Sequence, residues 1–296
     1  MVEWRSETGG SVLTTVLMPV ALGVIMLGLG LSLTLDDFRR VVLIPKPVLV
    51  GLICQMILLP PICFLVAWSF GLPPALAVGL MLLSASPGGA SANLYSHLAK
   101  GDVALNITLT AVNSVLSLFA LPLIVNLSLA HFMGAGQSIP LQFSKVIQVF
   151  AIVLVPVSIG MAIRRWNRAA AERSERPVKV ISVVFLVLVV AAAVIKEHAL
   201  LAEYLPQVGL AALAFNLVSM GVGYLVPRAL KLPQRQSIAI GMEVGIHNGT
   251  LAIAIASSPQ LLNNTTMAIP AAVYSLVMFF TAGAFGWWVN RGRTED

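Results

Sequence analysis

The chain has 296 residues, of which 58% are hydrophobic and only 10% charged, with a formal net charge of +6. A soluble domain clothes its surface with roughly a quarter charged residues, so this composition excludes one. The basic residues gather in short segments between apolar runs, which fits membrane topology and excludes a nucleic-acid-binding face.

Residues 11–35, 47–99, 103–144, 204–227 and 244–290 contain no Asp, Glu, Lys or Arg. Each exceeds the roughly 20 apolar residues that cross a hydrocarbon layer, and several are long enough to cross it twice. In lipid the backbone must satisfy its own hydrogen bonds, so such runs predict helices. The polar–apolar alternation of a membrane barrel is absent. Nine spans are expected, at about 11–33, 47–69, 74–98, 103–130, 144–163, 179–197, 206–228, 236–257 and 264–290. The first ten residues lack a basic leader region, so the first span is expected to be retained. The breaks carry loop chemistry: DDFRR at 36–40, FGLPP at 70–74, AKGD at 99–102 and a Gly/Pro stretch at 133–140. Then come the basic segment 164–179, HALLAEYLP at 198–206, RALKLPQRQ at 228–236 and SSPQ at 257–260.

With the N-terminus outside, 15 of the 18 basic residues fall on the inner side, leaving Arg5, Lys145 and Lys196 outside. Inner loops are enriched in Lys and Arg, so this split predicts an outside N-terminus and a cytoplasmic C-terminus. A faint internal repeat accompanies it. GLPPALAVGLMLL (71–83) resembles KLPQRQSIAIGME (231–243), and NSVLSLFA (113–120) resembles YSLVMFFT (274–281). The paired units start on opposite sides, as an inverted repeat requires.

Two segments interrupt the apolar pattern. In SASPGGASANLYS (84–96), Pro87 removes a donor and Gly88–Gly89 loosen the backbone, while Ser84, Ser86, Ser91, Asn93 and Ser96 bring polar groups to membrane depth. GMEVGIHNGT (241–250) contains Glu243, the one acidic residue placed within a span. A carboxylate there is costly, and no Lys or Arg lies at comparable depth to pair with it. It is either protonated against a carbonyl or meets a mobile cation, Na⁺ or H⁺. Gln55, Asn106, Thr108, Thr110, Asn113 and Ser114 add polar groups within apolar runs. Asn106, Thr110 and Ser114 recur every four residues and are expected on one helix face. Cys54 and Cys63 read as buried thiols. His247 has no neighbouring zinc ligands, and the chain contains no G-x-S-x-G, H-E-x-x-H or P-loop, so no enzyme is indicated.

Three segments resemble the bile acid:sodium symporter family, in particular its bacterial members: LGLGLSLTLDDFRR (27–40) followed by Gln55 and Pro60, SPGGASANLYSHLAKGDVALNITLT (86–110), and MEVGIHNGTLA (242–252). The resemblance implies an all-α, polytopic, nine-span transporter occupying the whole chain as one domain. Its inverted repeats would be 11–131 and 142–290. A panel of spans 1, 5 and 6 would face a core of spans 2–4 and 7–9, in which two broken helices cross. It implies sodium-coupled symport of an organic anion, bile-acid-like or a small carboxylate, by alternating access. Na⁺ would be the coupling ion, with no organic cofactor and no further metal. By the same resemblance Asn93, Thr110 and Glu243 match a first sodium site, where Asn106 stands in place of a frequent serine and still offers an oxygen. Gln55, Glu243 and backbone oxygens at Val244 and Ile246 match a second, where His247 stands in place of a glutamine. Gly89, Ala90, Asn248 and Gly249 lie at half-helix N-termini that would present N–H groups to the anion. A proton-coupled carrier using a Glu243–His247 pair, and a passive channel, are the alternatives. The implied partners are the substrate and the bilayer, with no nucleic acid and no obligate protein, in a cell membrane such as the bacterial inner membrane.

Overall fold

The computed structural model describes residues 23–134 except 25, 29 and 32, then 143–174, 177, 178, 180, 181, 184, 198–258 and 261–291. The first expected span up to residue 22 and most of the sixth lie outside the described residues. Among those described, every regular element is helical. Four helices among the described residues are long and apolar enough to cross a membrane: Pro45–Ser69, Val103–Phe132, Pro206–Ala229 and Thr266–Asn290.

Taken in chain order, α1 is Leu35–Leu43. The expected break at DDFRR is thus itself a short helix, separate from the span that follows. Its start is fixed by Asp37, whose Oδ2 accepts from both the N–H and the hydroxyl of Thr34 at 2.7 Å. The charged residues sit among exposed Leu35, Val42 and Leu43, an amphipathic arrangement suited to a membrane–water boundary. Helix α2 (Pro45–Ser69) contains a π-helical segment, Ile53–Leu58. Its cause is in the sequence: Pro60 and Pro61 cannot donate to the preceding turn. The Leu59 N–H instead reaches back five residues to Cys54 O.

Next, α3 (Pro74–Ser84) and α4 (Ala90–Leu98) form one broken pair, and α5 (Val103–Phe132) follows. Helix α6 is Phe143–Trp166 and α7 is His198–Ala229. A second broken pair, α8 (Gln234–Gly245) and α9 (Gly249–Ser257), leads through a 3₁₀ turn to α10 (Ile269–Asn290). The broken pairs sit in a nest of α2, α5, α7 and α10. Nearly all of α3 and α8 is buried. Cys54 and Cys63 are buried free thiols, as expected.

Two turns that lead into proline-capped helices have the same backbone, a capping pattern that also occurs at Lys100. Gly71 (φ +58°) and Lys231 (φ +60°) both occupy the left-handed region. In each, three consecutive N–H groups cap the preceding helix: those of Phe70, Gly71 and Leu72 on Val66, Trp68 and Ala67, and those of Leu230, Lys231 and Leu232 on Val226, Arg228 and Pro227. A proline N-cap then opens the next helix, Pro73 (φ −51°, ψ 145°) or Pro233 (φ −53°, ψ 148°). The turns lie at opposite ends of α2. Gln207 Nε2 donates to Phe70 O at one end, while Lys46 Nζ donates to Leu230 O at 3.0 Å at the other. Asp102 N also donates to Arg235 O at this second end, at 2.9 Å. Among the described residues the single ion pair is Arg168–Glu172 at 2.8 Å, outside the spans; its hydrogen bond holds the Glu172 carboxyl below its ordinary range.

Candidate functional site

The two breaks meet. Gly89 N donates to Ile246 O at 3.1 Å, and Asn248 N donates to Pro87 O at 2.8 Å, with Gly88 and His247 paired antiparallel between them. Each break therefore satisfies the other's orphaned backbone groups, which is how irregular chain is tolerated at membrane depth. Asn248 also caps α9, its side chain accepting from Leu251 N at 3.0 Å.

Glu243 lies at this crossing, fully buried. Its Oε1 accepts from Gly88 N at 3.2 Å and from Asn113 Nδ2 at 3.1 Å, while Oε2 accepts from the Thr110 hydroxyl at 2.6 Å. A Cβ at position 88 would run into the Glu243 carboxylate, so only glycine allows this close approach. No basic side chain joins the set: among the described residues neither an ion pair nor a His/Cys/Asp/Glu metal cluster occurs here.

The surrounding carboxamides share one feature. Gln55 Nε2 donates to Ser86 O at 3.0 Å, and Asn106 Nδ2 donates to Ala239 O at 2.7 Å. Yet Gln55 Oε1, Asn93 Oδ1, Asn106 Oδ1 and Asn113 Oδ1 are buried with no hydrogen-bond partner. Leaving one buried acceptor unmet costs about 1–3 kcal/mol. Neutral amide oxygens and a carboxylate are the kind of ligands that hard cations take.

His247 is placed differently from the expected carboxylate pair. Its Nδ1 lies 3.3 Å from Ser86 O and 3.4 Å from Gln55 Nε2. The ring stacks on Phe215 with centroids 5.7 Å apart and meets the edge of Tyr274 at 5.4 Å. No hydrogen bond joins it to Glu243, whose partners are those named above. Tyr274 OH and Asn216 Nδ2 both donate to Gly245 O, at 2.9 and 2.8 Å, and fix the end of α8 from the far side.

Of the residues expected from sequence, Thr110 touches the carboxylate of Glu243, and Asn106 lies one turn before it on α5. Gln55 belongs to the His247 side of the crossing through Ser86 O. Val244 and Ile246 are fully buried, and Ile246 O already accepts from Gly89. The N–H groups of Gly89 and Asn248 are committed to the crossing, and Gly249 N donates to His247 O at 3.0 Å. Ser114 was expected to share a face with Asn106 and Thr110, but its hydroxyl bonds back to Thr110 O at 2.6 Å, and Asn113 takes the place at Glu243. An i,i+3 spacing from Thr110 was the available signal for Asn113.

A sequence profile now decides the family: residues 8–204 match that of the Sodium Bile acid symporter family. The chain belongs to this family. Its relatives include the uncharacterized sodium-dependent transporter YocS of Bacillus subtilis, 30% identical over 261 residues, covering 87% of this chain and 78% of that one. The probable sodium/metabolite cotransporter BASS2, chloroplastic, of Oryza sativa subsp. japonica is 29% identical over 282 residues, 95% of this chain and 65% of the rice protein. The P3 protein of Homo sapiens is 30% identical over 226 residues, covering 76% of this chain and 47% of its own length. The chain thus spans less than two thirds of the rice and human proteins. As a Sodium Bile acid symporter family member it is a membrane protein of a transporter family and not of an enzyme family.

Proposed function

We propose that this protein is a sodium-coupled symporter of a small organic anion, with Glu243 as the carboxylate that receives the coupling ion. The observation that carries this reading is the buried Glu243 carboxylate, without a basic partner among the described residues, facing a stretch of α5 that carries unpartnered carboxamide oxygens. A bound Na⁺ neutralises Glu243 and satisfies oxygens that have no hydrogen to accept. Loading the ion thereby steadies the crossing, through Thr110 on α5 and Gly88 in the first break. The anion would be held beside the crossing by those N–H groups in the first turns of α4 and α9 that are not already committed there, where the helix dipole is positive.

In this reading the chain is an inverted repeat over 11–131 and 142–290 working by alternating access, and the similar proline-capped turns at Gly71 and Lys231 support it. In this reading nine spans divide into a panel and a core, the core being the broken pairs with α2, α5, α7 and α10. The basic ends of the bundle at Lys46, Lys100, Lys231 and Arg235 lie in the cytoplasm of a cell whose membrane holds the protein. Glu243 and His247 have separate hydrogen-bond partners, which weighs against a proton-coupled pair. A channel is disfavoured because the polar groups concentrate at one sealed crossing.

The test is counterflow from proteoliposomes against labelled organic acids, from steroid carboxylates to small hydroxy acids, with and without a sodium gradient. Uptake of at least one acid driven by Na⁺ is expected. Transport indifferent to Na⁺, or absence of transport beside formation of a chemical product, would overturn the proposal.

A further inference from the structure

On α5, Asn106, Thr110 and Asn113 fall on one helix face, and that face runs along α8. All three are essentially fully buried. They meet α8 in order: Asn106 Nδ2 on Ala239 O at 2.7 Å, Thr110 Oγ1 on Glu243 Oε2 at 2.6 Å, Asn113 Nδ2 on Glu243 Oε1 at 3.1 Å. In both asparagines the NH₂ is engaged while the oxygen has no partner. Turning the Asn113 amide over would not mend this. It would set Oδ1 against Oε1, acceptor against acceptor, and leave the NH₂ without the carboxylate. The present orientation is therefore imposed by the charge on Glu243, and it leaves an oxygen, never a donor, free beside that charge. The two amide atoms share a carbon, so Oδ1 stands within reach of an ion seated against Oε1.

We propose that Asn113 is a further ligand of the coupling cation and a determinant of which cation is taken, its NH₂ holding the Glu243 carboxylate while its Oδ1 coordinates the ion. This rests on the reading of Glu243 as the cation-binding carboxylate. A ligand that is itself tied to another ligand cannot follow an ion of different radius freely. Asn113 therefore sets the spacing between one neutral and one charged oxygen, and that spacing favours one monovalent ion over another.

The experiment compares full-length wild type, Asn113→Ala and Glu243→Gln. Two readouts serve: half-saturating Na⁺ for uptake in proteoliposomes, and protection of the purified protein from thermal unfolding by Na⁺ or Li⁺. Asn113→Ala is expected to raise half-saturating Na⁺ roughly tenfold, the loss of one contact to a charged group, and to change the Na⁺/Li⁺ preference. An unchanged half-saturation in Asn113→Ala, with sodium dependence lost in Glu243→Gln, overturns the role of Asn113 and leaves the symport reading standing. A raised half-saturation with an unaltered Na⁺/Li⁺ preference also overturns it, because Asn113 then only positions Glu243. Sodium dependence surviving in both variants removes the symport reading itself. Should Asn113→Ala not fold, Asn113→Ser decides on the same two readouts: a serine oxygen lacking the NH₂ is expected to keep part of the Na⁺ affinity with an altered Na⁺/Li⁺ preference, and wild-type values in both overturn the proposal.

Discussion

Glu243→Gln separates charge from packing at the crossing. The neutral oxygen of the new amide can occupy the place of Oε1, accepting from Gly88 N and Asn113 Nδ2 as before. The NH₂ then faces Thr110, whose hydroxyl already has a second acceptor in Asn106 O at 3.1 Å. With that hydroxyl turned to Asn106 and its lone pair offered to the NH₂, each hydrogen bond survives in number. Folding stability should change by less than about 1 kcal/mol, since neutral bonds replace charged ones while an uncompensated buried charge is relieved. The ion site loses its single formal charge. One unit charge at ~4 Å in an effective dielectric of about 20 is worth about 4 kcal/mol. At 1.4 kcal/mol per decade, sodium affinity should fall on the order of a thousandfold. Sodium-titrated uptake in proteoliposomes at equal incorporation, with thermal unfolding of the purified protein alongside, reads both quantities. A variant that unfolds like the wild type and still half-saturates within about tenfold of its sodium concentration would refute the assignment.

Three further outcomes follow from the same geometry. Gly88→Ala should lower thermal stability by about 1–3 kcal/mol and abolish sodium-driven uptake, because the new methyl group occupies the space of the Glu243 carboxylate; wild-type uptake would contradict that contact. Asn93→Ala and Thr110→Ala should raise half-saturating Na⁺ while sparing the maximal rate at saturating Na⁺, and an equal loss at low and saturating Na⁺ would show that neither is a ligand. His247→Gln should steepen the sodium dependence of uptake at fixed pH, an amide oxygen replacing imidazole beside Gln55 and Ser86; an unchanged Hill coefficient would leave His247 as a packing residue against Phe215 and Tyr274.

What sequence reveals here depends on the range of each interaction. Long uncharged runs announce helices because the bilayer admits little else, and α2, α5 and α10 appear where the runs lie. Both breaks were visible because Pro87, Gly88, Gly245 and Gly249 weaken a helix locally. The isolation of Glu243 was equally visible, as a charge without a partner. The helicity of DDFRR is hidden because four charged residues around one Phe mask the apolar face of a short boundary helix. The π-helical turn at Gln55 needed the joint effect of Pro60, Pro61 and the packing of α2, so the aim of that side chain at Ser86 could not be read from spacing. Sequence shows both Asn113 and Ser114 as polar but does not rank them, because i+3 and i+4 are equally good neighbours on a bare helix and the approach of α8 decides between them. The separation of His247 from Glu243 depends on the register of two breaks more than 150 residues apart in sequence, which no local pattern carries.

The bonds that join the two breaks, Gly89 N to Ile246 O and Asn248 N to Pro87 O, are made wholly by main chain. Mutation can reshape what the side chains offer at the crossing, but short of proline it leaves these N–H and C=O groups in place. The joint can therefore persist while the chemistry hung on it drifts, as long as glycine stays where the two breaks touch. Such a frame lets a lineage change its cargo one side chain at a time without rebuilding the device that carries it. Diversity of transported substrates among descendants of one ancestral carrier is what this division between frame and fittings leads one to expect.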